Sequence, residues 1–213
     1  MNTRIIMVRH GYSAANQKDM FVGHTDVELT AQGVEQALLC AKWLEREKID
    51  AVYSSDLQRA VKTARPIALA HGLEVNVDSG LREIFAGDWE QEIFSDLFEK
   101  YPEEFGLWCS DIGLSACVGG ESVAQLAERI VAAVTRIAEG HPGQTVCITS
   151  HATPIRAMST VASGIPVAEM KKVPWSGNAS INIFEYEDGV FRAVELDITE
   201  HLGDLKTALP GNV

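Results

Sequence analysis

Arg4-Ile5-Ile6-Met7-Val8 is an apolar run that stops at Arg9-His10-Gly11. A short apolar run closed by polar residues and glycine predicts a strand buried on both faces. Thr145-Val146-Cys147-Ile148-Thr149, followed by Ser150-His151-Ala152, shows the same pattern far along the chain. Between them the periodicity changes. Thr30–Lys48 reads as a helix with Val34, Leu38, Ala41 and Leu44 on one face. Ala51–Tyr53 is a short strand, and Ser55-x-x-Gln58 is a capping-box pattern that opens a second helix. Arg59 falls in that helix's first turn, and Pro66 is expected to kink or shorten it. Glu74–Val77 is strand-like. Gly80–Gly120 is less regular and aromatic. Ser122-x-x-Gln125 caps an amphipathic helix through Val123, Leu126, Ile130, Val134 and Ile137, ending near Gly140. Thr153-Pro154 reads as an N-cap followed by proline at the first helical position. Ile181–Tyr186 and Val190–Leu196, split by Glu187-Asp188-Gly189, form a hairpin, and Leu205–Val213 is expected to fray. Strands alternating with helices predict an α/β fold with a mainly parallel sheet and a locally antiparallel hairpin.

The 213 residues suit one domain, 1–213, with a capping insertion. Their composition, 46% hydrophobic and 23% charged, is that of a globular chain. No apolar run reaches membrane-spanning length, and Met1-Asn2-Thr3-Arg4 has no signal-peptide architecture, so a cytoplasmic location is expected. The net charge of −12 repels nucleic acid and anionic membranes, so neither is expected as a partner. The same charge repels an anionic substrate unless a local basic pocket overrides it. Cys40, Cys109, Cys117 and Cys147 show no C-x-x-C spacing and read as free thiols. No ligand spacing supports a metal site, and His24, His71, His141 and His201 are scattered.

The placement of a few residues is informative against that charge. His10 and His151 each follow the carboxyl end of a strand, and Arg59 opens the helix after another. Open α/β sheets bind ligands beyond the carboxyl ends of their strands. The fold reading therefore gathers Arg9, Arg59, His10 and His151 at one edge, beside helix N-termini that favour anions. Taken singly, each is more readily a surface charge or an incidental histidine. All four together describe an anion site.

These residues sit in a wider pattern. Arg9-His10-Gly11 with Asn16 is followed by Phe21-x-Gly23-x-x-Asp26-x-x-Leu29-Thr30-x-x-Gly33-x-x-Gln36-Ala37. Ser54-Ser55-Asp56-Leu57-Gln58-Arg59-Ala60-x-x-Thr63-Ala64, Leu81-Arg82-Glu83-Ile84, Gly87-Asp88-Trp89-Glu90, Gly119-Gly120-Glu121-Ser122 and Ser150-His151 complete it. The ordered set resembles the histidine phosphatase superfamily, the phosphoglycerate mutase-like group, and within it the broad-specificity and α-ribazole-phosphatase-like branch. The resemblance implies a three-layer α/β sandwich with a small helical lid insertion at about 84–121. It implies His10 as nucleophile, with Arg9, Arg59 and a protonated His151 on the phosphoryl oxygens and Asn16 assisting. Gly23 and Ala152 are carried over as substrate-binding positions, and Glu83 as the acid, then the base. On residue chemistry alone, Glu83 is as readily a salt-bridge partner of Arg82 or another arginine. Two departures stand out: Ala152 where glycine is common, and Val118 where proline is common. A backbone N–H survives at 152, so phosphate binding should too. Neutral imidazole attacks through one ring nitrogen only, so the other must be held, for instance by a backbone carbonyl.

The expected activity is hydrolysis of small-molecule phosphate monoesters without a cofactor. The alternatives are a phosphoglycerate mutase and a non-catalytic phosphate-binding regulatory module. A mutase needs further cations to hold a bisphosphate. Ile84–Glu128 contains one basic residue, Lys100, against ten acidic ones, together with seven phenylalanine, tyrosine or tryptophan residues. An acidic, aromatic lid favours an apolar, neutral or cationic leaving group. The intact set of His10, Arg9, Arg59, Glu83 and His151 disfavours a dead enzyme. Oligomeric state is not legible.

Overall fold

The computed structural model describes residues 1–208. Strands β1 (Thr3–Arg9), β2 (Ala51–Ser54), β3 (Val75–Val77) and β4 (Thr145–Ser150) run parallel. β5 (Ile181–Glu187) is antiparallel to β1 and pairs with β6 (Val190–Ile198). The sheet order is β3-β2-β4-β1-β5-β6. Asp188 and Gly189, with φ of 52° and 81°, make the tight turn of the closing hairpin. The helices are α1 (Ala14–Gln17), α2 (Ala31–Leu44), α3 (Gln58–Ala70), α4 (Phe94–Lys100), α5 (Pro102–Asp111), α6 (Val123–Glu139) and α7 (Ala152–Ala162). None of them is long and apolar enough to cross a membrane.

Alternate residues of the central strands feed two cores, as the period of two requires. Ile5, Met7, Val146 and Ile148 join Leu126, Ile130, Val134, Ile155 and Met158 of α6 and α7. Ile6, Val8, Val52 and Cys147 join Cys40, Leu44, Ala64 and Ile67 of α2 and α3. The result is a three-layer α/β sandwich. The segment 84–121 folds as α4 and α5 flanked by short 3-10 turns at Gly87–Trp89 and Ile112–Leu114. All four cysteines are free thiols, and Cys40, Cys117 and Cys147 are buried.

Local expectations are corrected in several places. Val34 and Leu38 are exposed, at 46% and 56%. The inward face of α2 is instead Gly33, Gln36, Ala37, Cys40, Ala41 and Leu44. Gly33 and Gly11 allow close backbone contact, because an added Cβ on Gly33 would run into the Tyr12 carbonyl. Gln36 accepts from the Tyr12 N–H at 2.7 Å and donates to the Leu205 carbonyl at 2.8 Å. These polar and steric contacts set the helix rotation, and hydropathy does not report them. α2 also stops at Leu44, short of Lys48.

The Ser55 capping box does not form. α3 starts at Gln58 behind Leu57, and the Gln58 N–H is taken by Asp26 Oδ1 at 2.9 Å. The helix runs through Pro66 to Ala70. The Ser122–Gln125 capping box is present on α6. Thr153 is not an N-cap: α7 begins at Ala152, and His151 holds the N-cap position without a side-chain capping bond. Pro154 then lies among the first N–H positions, which lack helical partners in any case. Leu205 is not frayed, since it closes a 3-10 turn, Glu200–Leu205, and receives Gln32 and Gln36. The rest of that expected tail beyond 208 lies outside the described residues.

Gly33→Ala should destabilise the protein by about 1–3 kcal/mol through overpacking against Tyr12, despite alanine's better helix propensity. Gly106→Ala is the control: it lies in α5 with nothing within 4 Å of an added Cβ, and should gain about 0.5–1 kcal/mol. Urea unfolding of both variants checks the pair; a neutral or stabilising Gly33→Ala would contradict the packing argument.

Candidate active site

β1 and β4 end level, Arg9 opposite Ser150, so His10 and His151 leave the sheet side by side. The His10 N–H donates to the Ser150 carbonyl at 3.0 Å, and the two rings meet edge-on with centroids 5.2 Å apart. His10 Nδ1 lies 2.8 Å from the Gly11 carbonyl. A carbonyl only accepts, so Nδ1 carries the proton and Nε2 presents its lone pair. Burial, with Arg59 and Arg9 adding to it, holds the His10 pKa well below 6.5, and the ring is neutral at pH 7. The His10 carbonyl receives the Ala179 N–H and Asn178 Nδ2, each at 3.2 Å. The Gly11 N–H donates to Thr63 Oγ1, which ties the loop to α3.

The cations are buried without carboxylate bonds. Arg9 is 6% exposed and donates to the Ser176 carbonyl at 2.7 Å; burial lowers its pKa to about 10, so it stays charged. Arg59, 1% exposed, donates to the carbonyls of Thr25 and Gly23 at 2.9 and 2.8 Å. The Nε of each arginine and both ring nitrogens of His151 are buried with no partner among the described residues. Polar groups are rarely left in this condition, and a phosphoryl group's oxygens are acceptors of the kind these donors lack. Burial, then Arg59, His10, Arg9 and Arg129, push the His151 pKa well below 6.5. A dianion between these groups would oppose that shift.

Glu83 makes no ion pair with Arg82, which binds Asp56 through two bonds of 2.7 and 2.5 Å. Its carboxyl accepts the Ile84 N–H at 2.8 Å and the Thr153 N–H at 3.3 Å. That second donor exists because α7 starts two residues earlier than expected. Burial raises the Glu83 pKa, against the opposing effect of those bonds and Arg59. The Glu83 carbonyl is clamped by His24 Nε2 at 3.0 Å and Arg129 Nη2 at 3.1 Å.

Arg9, His10, Asn16, Glu83 and Ala152 line one cleft, a cavity of about 90 Å³. Arg59 and His151 are buried and do not line it, with the His151 ring against that of His10. Asn16 is held through Oδ1 by Asn178 Nδ2 at 3.1 Å and by Ser13. Gly23 is set back from the cleft; it packs on the Ile84 carbonyl and its own carbonyl holds Arg59. The outer walls are Met20, Phe21, Val22, Phe94, Trp108 and Trp175. The acidic residues of the lid do not face the cleft. Glu90 accepts from the Gly23, His24 and Thr25 N–H groups, while Glu92, Asp111 and Glu121 pair with Lys100, Lys171 and Arg129. The lid is therefore acidic outside and aromatic inside. Among the described residues no three His, Cys, Asp or Glu side chains gather as a metal-holding group.

Several positioning residues escaped the sequence reading. Glu90 stands inside a quoted motif, yet nothing in its spacing says that it holds the turn whose carbonyls orient Arg59. Arg129 belongs to a helix read as an apolar stripe. Trp175 reaches the cleft, and Asn178 braces His10 and Asn16 beside it, from a segment without chemical signature; Thr153 reads in the sequence only as a cap.

A family model described as Histidine phosphatase superfamily (branch 1) matches residues 5–199. Phosphoserine phosphatase 1 of Hydrogenobacter thermophilus is 35% identical over 204 residues, covering 94% of this chain and 95% of that protein. Phosphoglycerate mutase-like protein 4 of Arabidopsis thaliana is 37% identical over 190 residues, covering 87% of this chain and 80% of its own length. The structure of a mycobacterial glucosyl-3-phosphoglycerate phosphatase superposes with a TM-score of 0.86 at 28% identity, over 93% of this chain and 100% of that one. Phosphatase relatives of this kind support hydrolysis of phosphate esters, and the chain belongs to the histidine phosphatase superfamily, branch 1.

Proposed function

We propose that the chain is a metal-independent phosphomonoesterase that hydrolyses small phosphate monoesters through a phosphorylated His10. One observation carries the reading: a neutral His10, fixed through Nδ1 to the Gly11 carbonyl, shares a cleft with a carboxyl whose pKa is raised. Nε2 attacks phosphorus as the P–O bond to the alcohol breaks, and Glu83 gives its proton to the leaving oxygen. Arg9, Arg59 and His151 supply donors to the transferring group without reorganising, since their positions are already held. Glu83, now a carboxylate, takes a proton from water, whose oxygen attacks phosphorus and breaks the N–P bond. Phosphate leaves and the starting protonation states return.

The aromatic walls favour an apolar stretch of the alcohol next to the ester oxygen. Phosphoglycerate interconversion, raised by the mutase-like relative, would need cations above the cleft to retain a bisphosphate, and the outer walls provide none.

Wild-type protein should hydrolyse an aryl phosphate in EDTA, and His10→Ala should lose more than about a thousandfold in rate. Rapid quench should trap an acid-labile, base-stable phosphoprotein with the wild type alone. A panel including phosphoserine then ranks natural esters. The absence of both turnover and trapped phosphate would sink the reading.

Glu83→Gln should cost about 10²–10⁴ in kcat/KM and abolish the alkaline limb that Glu83 ionisation gives the wild type. Its effect on stability has the opposite sign. The folded pKa of Glu83 lies above its ordinary 4.5, so its contribution is full below that value and is lost as pH rises through the folded pKa. Glu83→Gln should therefore melt higher than wild type at neutral pH, with the gap closing toward pH 4. An equal gap at all pH values would show that Glu83 does not titrate as inferred.

A further inference from the structure

A second cavity, of about 330 Å³, lies between the end of α5 and the segment leading out of α7. Trp108 and Trp175 line both this cavity and the catalytic cleft, their rings 6.5 Å apart and tilted by 35°. Arg156 and Lys171 also line it.

Arg156 is unusual. It is 7% exposed, and its guanidinium carbon stacks 4.3 Å over the Trp175 ring. Its Nε donates to the Val173 carbonyl at 2.7 Å, and no carboxylate among the described residues pairs with it. Burial brings its pKa down to about 10, which leaves it charged at neutral pH. Buried charges are ordinarily paired, because an uncompensated one is costly. At the rim Lys171 binds Asp111 at 2.5 Å, so those two charges offset each other and Arg156 supplies the net positive charge. A planar guanidinium with free nitrogens matches a carboxylate or similar oxyanion.

We propose that this cavity is an anion subsite for an acidic group at the far end of the ester's alcohol. The preferred substrate is then a phosphate monoester whose apolar middle packs on the Trp108–Trp175 pair and whose remote end carries a carboxylate or comparable oxyanion. This rests on the phosphomonoesterase reading and names its substrate class. It also gives the apolar cleft walls a purpose, as the passage between two anion sites.

The test uses aryl phosphates bearing a carboxyalkyl chain of graded length, each compared with its methyl ester. Wild type should prefer the acid by about tenfold in kcat/KM at the best length. Arg156→Gln should bring that ratio to about one while the ester's rate stays within about twofold. Lys171→Ala, a surface change, should weaken the preference about two- to threefold, and it carries the test if Arg156→Gln fails to fold by circular dichroism. Calorimetry with non-hydrolysable benzylphosphonates, acid against methyl ester, reads the subsite without turnover. Failure of hydrolysis with an intact acid preference in binding would thus strike the phosphatase reading alone. An acid-to-ester ratio of one at every length would overturn the subsite, as would a preference unchanged in both variants. Binding of the unphosphorylated arylalkanoate that depends on Arg156 but does not compete with substrate would overturn the substrate-linked assignment in favour of a free effector anion.

Discussion

β1 and β4 are hydrogen-bonded in parallel, with Arg9 opposite Ser150, and the next residue on each strand is a histidine. The site depends on this register. A parallel pair places both carboxyl ends at one edge, and the bond from the His10 N–H to the Ser150 carbonyl carries the register one residue past the strand. A slip by one residue would exchange Ile5 and Met7 for Ile6 and Val8 between the two cores, so core packing enforces the alignment of the histidines. The reactive geometry is thus held by hydrophobic burial on both faces of the sheet.

Around that pair the protein accepts an electrostatic cost. Arg9, Arg59, His10, His151 and Glu83 are all buried, and burial shifts each away from its charged form. Backbone carbonyls offset part of the cost for the arginines, as do the Ile84 and Thr153 N–H groups for Glu83. The unpaired Nε atoms and ring nitrogens keep the remainder. Groups arranged this way bind an anion strongly, because the desolvation has already been met in folding. Glu90 and Arg129 hold the turns that aim Arg59 and Glu83, and so protect the arrangement without reaching the ligand.

The lid solves a separate problem. Phe21 meets Trp89, Phe94 and Trp108 edge-on, and Trp89 meets Phe105 and Trp108 likewise, so the aromatics of the insertion extend the core formed under α6 and α7. Aromatic pairs of this geometry are worth about 0.5–1.5 kcal/mol each beyond their burial. The lid's carboxylates turn outward or onto backbone N–H groups. An acidic composition therefore coexists with an apolar inner wall.

The sequence by itself determined the strands, their parallel sense and the edge where Arg9, His10, Arg59 and His151 meet. Unbroken apolar runs and alternating periods are local signals that report on burial directly. It did not determine the rotation of α2, where Gly33 and Gln36 face inward and Val34 and Leu38 outward, because a backbone contact with Tyr12 overrides hydropathy. Nor did it determine the start of α7, which turns the Thr153 N–H toward Glu83. The lowered pKa of His151 likewise follows from its burial beside Arg59, and the unpaired charge of Arg156 from its packing where no carboxylate among the described residues bonds to it. These are relations between residues far apart in the chain, and only the tertiary structure brings those residues within bonding and Coulombic range.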